Sequence, residues 1–142
     1  LARKILPEGV SLAAMLELPA VILLAQRPGP ATGLPTRTGQ QDLQFAVHAG
    51  HGEFVRAIFS PGSIEQCFTV TRRALAIAHR YQTPVIILTD QYLQDLTKNI
   101  PAFNIAYQPI DRGIVQDAGP DYVRYAVTDD GVSPRAVPGG KA

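Results

Sequence analysis

The sequence predicts an α/β domain built on a parallel sheet, followed by an irregular arm. Three observations carry that expectation. Two short apolar runs, Ala20–Ala25 and Val85–Thr89, are continuous rather than alternating, which is the pattern of strands covered on both faces. Between them, Ile64–Tyr81 repeats apolar residues at the i, i+3, i+4, i+7 spacing of a helix with one buried face. Strand-like and helix-like stretches alternate, and alternation argues for parallel pairing through right-handed crossovers.

Taken in order, Pro7–Leu18 reads as a short helix with Leu12, Met15 and Leu16 on one face and Pro19 as its stop. Ala20–Ala25 is the first strand. In the loop after it, three prolines and two glycines fall between Pro28 and Pro35 and deny the chain both helix and ladder. Gln40–Ala49 has a weaker helical pattern, with Leu43, Ala46 and Val47 on one side and Gly50 as a left-handed cap. Val55–Phe59 is a short strand, turned by Ser60-Pro61-Gly62. Ser63 suits an N-cap, and Gln66 three residues later suits the capping-box partner. In the helix Ile64–Tyr81, the expected buried face is Ile64, Cys67, Phe68, Thr71, Ala74, Leu75, Ala78 and Tyr81. Asp90 closes the strand Val85–Thr89 and is placed to cap the turn that follows.

Tyr92–Leu96 offers one more helical turn. Beyond it, prolines and glycines from Pro101 to Gly140 break every candidate element. Roughly fifty irregular residues exceed what a compact domain carries. The chain therefore divides into a partial α/β domain, residues 1–93, and an arm or linker, residues 94–142, lying on another subunit or leading to a following domain. Three strands make a small sheet, as an incomplete or partnered one would be.

Composition narrows the function. The chain has 142 residues, 46% apolar and 18% charged, with a net charge of +1. That is enough length for a core, with no basic surplus to suggest nucleic acid and no acidic tail. No apolar run approaches the roughly 18 residues of a membrane span. The single cysteine, Cys67, excludes an intramolecular disulfide framework and any all-cysteine cluster made by this chain alone; it sits where a small core residue would. The start, Leu1-Ala2-Arg3-Lys4, lacks a secretory pattern and an initiator Met, so the chain reads as cytoplasmic and as cut from something longer.

Most candidate sites have a plain structural reading. Gly29-Pro30-Ala31-Thr32-Gly33 lacks the lysine and the following helix of a phosphate loop. His48, His51 and Glu53 are close in sequence, but Gly50 and Gly52 spoil the geometry a metal needs, and no metal site is expected. Arg72 and Arg73 suit a solvated helix face. No arrangement of Ser, His, Asp or Cys with catalytic spacing is visible, so the catalytic residues stay unassigned. Arg27 and Thr36 stand apart. Loops leaving the C-terminal ends of strands in α/β sheets are where ligands bind. A guanidinium there can grip a carboxylate bidentately, and a hydroxyl on the same loop can add a hydrogen bond.

The run Gln26–Leu43, Gln-Arg-Pro-Gly-Pro-Ala-Thr-Gly-Leu-Pro-Thr-Arg-Thr-Gly-Gln-Gln-Asp-Leu, resembles the α subunit of 2-oxoacid:ferredoxin oxidoreductases, especially the 2-oxoglutarate type. The resemblance continues through His48–Phe54, through Thr89–Leu93 and to Ser133–Gly139, and so covers essentially the whole chain. It implies an incomplete three-layer, parallel-sheet domain of the pyrimidine-binding, thiamine-diphosphate type. Thiamine diphosphate would lie at the interface with a β subunit, with Mg and the iron–sulfur cluster on that partner. The implied reaction is oxidative decarboxylation of a 2-oxoacid, with coenzyme A accepting the acyl group and ferredoxin, indirectly, the electrons. Arg27 would hold the substrate carboxylate, and Thr36 would help hold the oxoacid. The glutamate that activates the cofactor would lie in an upstream half that this sequence lacks. One departure stands out: the family frequently has a glutamate where Gly39 is, and loss of that charge near Arg37 bears on substrate preference or loop order. The residues also fit a second reading, a non-catalytic α/β interaction module that keeps only the scaffold.

Overall fold

One seven-residue strand, Pro84–Asp90, is buried at every position and forms the middle of a three-stranded parallel sheet. The structure is a computed structural model and describes residues 2–106 and 109–139. In chain order the elements are α1 (Ala2–Met15), β1 (Ala20–Gln26), α2 (Leu43–His48), β2 (Ala57–Phe59), α3 (Ile64–Tyr81), β3 (Pro84–Asp90), α4 (Gln91–Asp95), β4 (Ile114–Val115) and β5 (Arg135–Ala136). The main sheet runs β1-β3-β2. β1 and β3 pair along their whole length, from Ala20 opposite Pro84 to Gln26 opposite Asp90.

Alternation along the strands splits the core into two layers. Val85 and Ile87 of β3 point to one face, where Ala74 and Ala78 of α3 meet them with Val21, Ala57 and Phe59. Ile86 and Leu88 point to the other, where Ala46 of α2 packs with Ile22, Leu24 and Ile58. The path from β1 across to β2 thus carries its helix on one face, and the path back to β3 carries its helix on the opposite face. Reversing direction while changing face is what two right-handed crossovers require. The three-layer parallel α/β fold expected from the sequence is the fold observed.

Several local expectations change. α1 begins at Ala2 and runs through Pro7, because a single missing N–H costs a helix one bond and does not have to end it. Its expected inward face points out: Leu12, Met15 and Leu16 are exposed, whereas Val10 is buried. α3 is rotated from the expected face. Val70 and Ile77 flank Ala74 and Ala78 against the sheet, while Leu75 and Tyr81 are exposed and Thr71 faces solvent. The two alanines explain the rotation, since small side chains let the helix approach the sheet along their line. Cys67 is half-buried rather than in the core, and burial pushes its thiol up.

Helix ends follow the capping chemistry in part. Ser63 Oγ accepts from Gln66 N at 3.2 Å, as expected, but Gln66 Oε1 accepts from Gly62 N at 2.7 Å, one residue outside the usual box. α2 ends at His48, its C-cap Ala49 is extended, and Gly50 just beyond it has the positive φ expected there, +108°. The orphan carbonyls are met by Arg56, whose Nη1 donates to Ala46 O at 3.2 Å and also to Ala49 O. Gly50 is required for closeness as well: a Cβ on it would lie 2.9 Å from both Phe54 and Ser11.

The irregular arm lies back on this domain. Phe103 stacks on Phe68 with centroids 4.5 Å apart. Lys98 Nζ lies 2.6 Å from Glu65 Oε1, and that bond does most to hold the Glu65 carboxyl down to about 2. Further along, Arg124 Nη1 reaches Glu17 Oε2 at 2.6 Å and Nη2 reaches Gln82 Oε1 at 2.9 Å, while Ser133 Oγ donates to Glu17 Oε1 at 2.8 Å. β4 and β5 form a short parallel pair within the arm, which the Pro and Gly pattern had not suggested.

Candidate anion-binding loop

The loop between β1 and α2 leaves and returns above the C-terminal ends of β1 and β3. Gln26 and Asp90 are the last residues of those strands and face each other in register. Both are nearly fully buried. Gln26 Oε1 accepts from the backbone N of Asp42, the residue before α2, at 3.1 Å. Asp90 divides its carboxylate: Oδ1 accepts from Leu93 N at 2.9 Å and caps α4, as expected, while Oδ2 accepts from Gln40 Nε2 at 2.7 Å. The returning limb is thereby fixed to both strand ends.

The outgoing limb is fixed to the returning one. Gly29 N donates to Gln41 Oε1 at 3.2 Å, and Leu34 N donates to Pro28 O at 3.1 Å. Pro28 is enclosed between two glycines. A Cβ on Gly33 would lie 1.9 Å from Pro28 O, and one on Gly39 would lie 2.8 Å from Pro28 N. No flexible side chain could yield there, so both glycines are needed for close approach. This recasts the Gly39 departure. A glutamate at that position has to displace Pro28, the neighbour of Arg27, so position 39 acts on the loop through packing.

Arg27 is half-buried between Gln26 and Pro28. Its Nε donates to Thr32 O at 3.0 Å, within the loop. Among the described residues the terminal nitrogens of its guanidinium have no hydrogen-bond partner. A cation held by one donor, with two parallel terminal donors remaining, is suited to a carboxylate. Thr36 is exposed, and its hydroxyl makes no hydrogen bond among the described residues. The structure places it on the same loop as Arg27 and shows no bond between the two. The sequence reading missed Gln26, Gln40, Gln41 and Asp42. Three glutamines around a Pro- and Gly-rich turn were a usable signal, since amides can satisfy backbone groups that lack a ladder.

His51 N donates to Ser11 Oγ at 2.7 Å, and among the described residues no group of three or more His, Cys, Asp or Glu is placed to hold a metal ion. Arg73 lies over the Phe59 ring at 5.5 Å and Arg72 over Phe68 at 5.9 Å. No helix is long and apolar enough to cross a membrane among the described residues.

In a parallel α/β sheet, ligands bind at the C-terminal ends of the strands, which is where this cation-bearing loop lies. Comparison with known proteins makes the assignment specific. The family described as pyruvate flavodoxin/ferredoxin oxidoreductase, thiamine diphosphate-binding, matches residues 5–137, and the chain belongs to that family. It is 42% identical over 132 residues to the α subunit of 2-oxoacid:ferredoxin oxidoreductase 2 of Aeropyrum pernix, matching 91% of this chain and 21% of that protein. It is 38% identical over 96 residues to the 2-oxoglutarate synthase subunit KorA of Methanothermobacter marburgensis, matching 68% of this chain and 26% of the relative. Among solved structures, the 2-oxoglutarate:ferredoxin oxidoreductase of Magnetococcus marinus, with 2-oxoglutarate, coenzyme A and succinyl-CoA bound, superposes with a TM-score of 0.82 at 36% identity, over 94% of this chain and 23% of that one. The chain thus spans about a fifth to a quarter of the length of these proteins.

The family's cofactor can be tested against the donors present. The diphosphate of thiamine diphosphate is held with a divalent metal, which takes several oxygen ligands. Among the described residues no group of three or more His, Cys, Asp or Glu is placed to hold that metal.

Proposed function

We propose that this chain is part of the α subunit of a 2-oxoacid:ferredoxin oxidoreductase, and that its loop grips the carboxylate of the oxoacid. The observation that carries this reading is the Arg27 guanidinium, tethered through Nε to Thr32 O, with its terminal donors unengaged among the described residues. Arg27 binds and orients the C1 carboxylate, and Thr36 donates a second hydrogen bond from the same loop. Thiamine diphosphate, bound where this domain meets a β subunit, supplies the decarboxylation chemistry. Coenzyme A would serve as the acyl acceptor, and an iron–sulfur cluster on the partner would supply the electron path to ferredoxin. Among 2-oxoacids, 2-oxoglutarate is favoured, because the bound substrate of the structural relative and the names of several sequence relatives agree on it.

Residues 1–93 then serve as the domain proper, and residues 94–142 lead on toward further chain. The isolated chain is expected to be inactive. Calorimetry tests that directly: thiamine diphosphate should give no binding heat with this chain alone, and binding with micromolar affinity would refute the division of the site. A scaffold kept only for interaction would leave Arg27 freely replaceable in an assembled enzyme, so loss of oxoacid affinity on replacing it separates the two readings.

A further inference from the structure

We propose that Gln40 is a positioning residue for Arg27, acting through Asp90. The inference rests on the carboxylate-binding reading of the loop and says what sets the aim of its cation. Arg27 follows the end of β1 and precedes Pro28 and Gly29. Those two residues are held by the returning limb: Pro28 packs on Gly39, and Gly29 donates to Gln41. The returning limb is anchored to the central strand by the 2.7 Å bond from Gln40 Nε2 to Asp90 Oδ2. Gln40 stands between Gly39 and Gln41, so whatever fixes Gln40 fixes both contacts to the Arg27 side of the loop.

The anchor is strong for its size. Its acceptor is a carboxylate in a residue only 8% exposed, on a strand buried at all seven positions. Hydrogen bonds to charged groups are stronger than neutral ones. Asp90 spends its other oxygen on Leu93 N, so removing the Gln40 amide leaves the α4 cap in place. A role in capping and a role in aiming the loop therefore separate experimentally.

The glutamine is also chemically specific. An amide is the donor that a carboxylate can accept from at any pH. A carboxyl at the same position fits the same space but donates only while protonated. Two carboxylates at this distance share a proton and repel once it is lost.

The test uses the assembled oxidoreductase with wild-type, Gln40→Ala, Gln40→Glu and Arg27→Ala α chains, assayed by oxoacid-dependent electron transfer. Gln40→Ala should raise KM for the oxoacid about tenfold, the worth of a charge-assisted hydrogen bond, with kcat within about twofold and KM for coenzyme A unchanged. Gln40→Glu should lose oxoacid affinity relative to wild type as pH rises, because two adjacent carboxylates repel once both are ionised. In the 142-residue chain itself, hydrogen exchange of the Gly29 and Leu34 amides should speed up in Gln40→Ala while that of Leu93 does not. The proposal is overturned if those loop amides are unchanged, or if they loosen while KM stays at the wild-type value and Arg27→Ala raises it. If Arg27→Ala also leaves KM unchanged, the carboxylate reading falls and this inference with it.

Discussion

Replacing Arg27 with alanine is the most direct perturbation of the loop. Two things are lost together. One is the pair of terminal donors offered to the substrate; the other is the 3.0 Å bond from Nε to Thr32 O, which belongs to loop order rather than to binding. The substrate term is a charge-assisted hydrogen bond in a half-buried setting, about 2–3 kcal/mol. At 1.36 kcal/mol per factor of ten, this corresponds to a fall of roughly 30- to 150-fold in kcat/KM. The loop term should be smaller, because Thr32 O is exposed and water replaces the lost donor. Arg27→Lys keeps the charge but loses the planar fork and the tether, so it should recover only part of the loss. The assay is steady-state turnover of the assembled enzyme with a series of 2-oxoacids, and the loss should appear in KM far more than in kcat. A KM within twofold of wild type for every oxoacid, in a variant whose melting temperature is unchanged, would refute the assignment of the guanidinium to the substrate.

Thr36→Val should weaken the oxoacid by a smaller factor, about three- to tenfold, and a double-mutant cycle with Arg27→Ala should show coupling if both groups hold one ligand; strict additivity would separate them. Arg124→Ala removes a partly buried ion pair and a second bond to Gln82, so it should cost about 2 kcal/mol of stability, a fall of roughly 4–8 °C in melting temperature, and open the arm to limited proteolysis. His79 is held below the ordinary histidine value, chiefly by burial and then by the Arg135 and Arg112 charges. The folded state therefore resists protonation while the unfolded chain accepts a proton from about pH 6.5 downward, so stability should fall as pH drops through that value and level off below the folded pKa. His79→Gln should flatten that part of the melting curve against pH, and an unchanged slope would show that His79 does not cause it.

What could be read from the sequence divides by the range of the forces involved. The strand Val85–Thr89, the Ser63 cap and the helix Ile64–Tyr81 follow from neighbours within a turn or two, and they stand with shifts of a residue or so. The face of α3 did not follow. Residues at period 3.6 define several overlapping faces, and the one chosen is set by Ala74 and Ala78 meeting Val85 and Ile87, which is a tertiary fact. The loop shows the same limit more sharply. That a cation sat in a rigid turn after a strand was legible. Its anchors were not, because Gln40 and Asp90 are 50 residues apart and meet only when β1 and β3 pair. The sequence marks Gly33 as part of a turn and Gly39 only as a departure from the family's glutamate; the structure shows them as the two sides of a vice on Pro28.

The two ends of the sheet are fastened by different chemistry, and the placing of Arg27 depends on both. At the C-terminal end, Gln26 and Asp90 receive the loop. At the N-terminal end, Glu17 and Gln82 lie just before β1 and β3, and Arg124 of the arm bonds to both. β1 is an edge strand of this sheet, with Leu23 65% exposed, so β3 is its only strand neighbour there and sets its height. A strand paired residue for residue over seven positions transmits an offset from one end to the other, since slipping the register would turn every side chain to the wrong face. The Arg124 latch holds the two strands level at their starts, and Gln26 and Asp90 are then level at their ends. For a guanidinium proposed to meet a small carboxylate, that alignment matters, because Thr32–Thr38 are all exposed and the loop's contacts to the rest of the domain run through Gln26, Pro28 and Gln40.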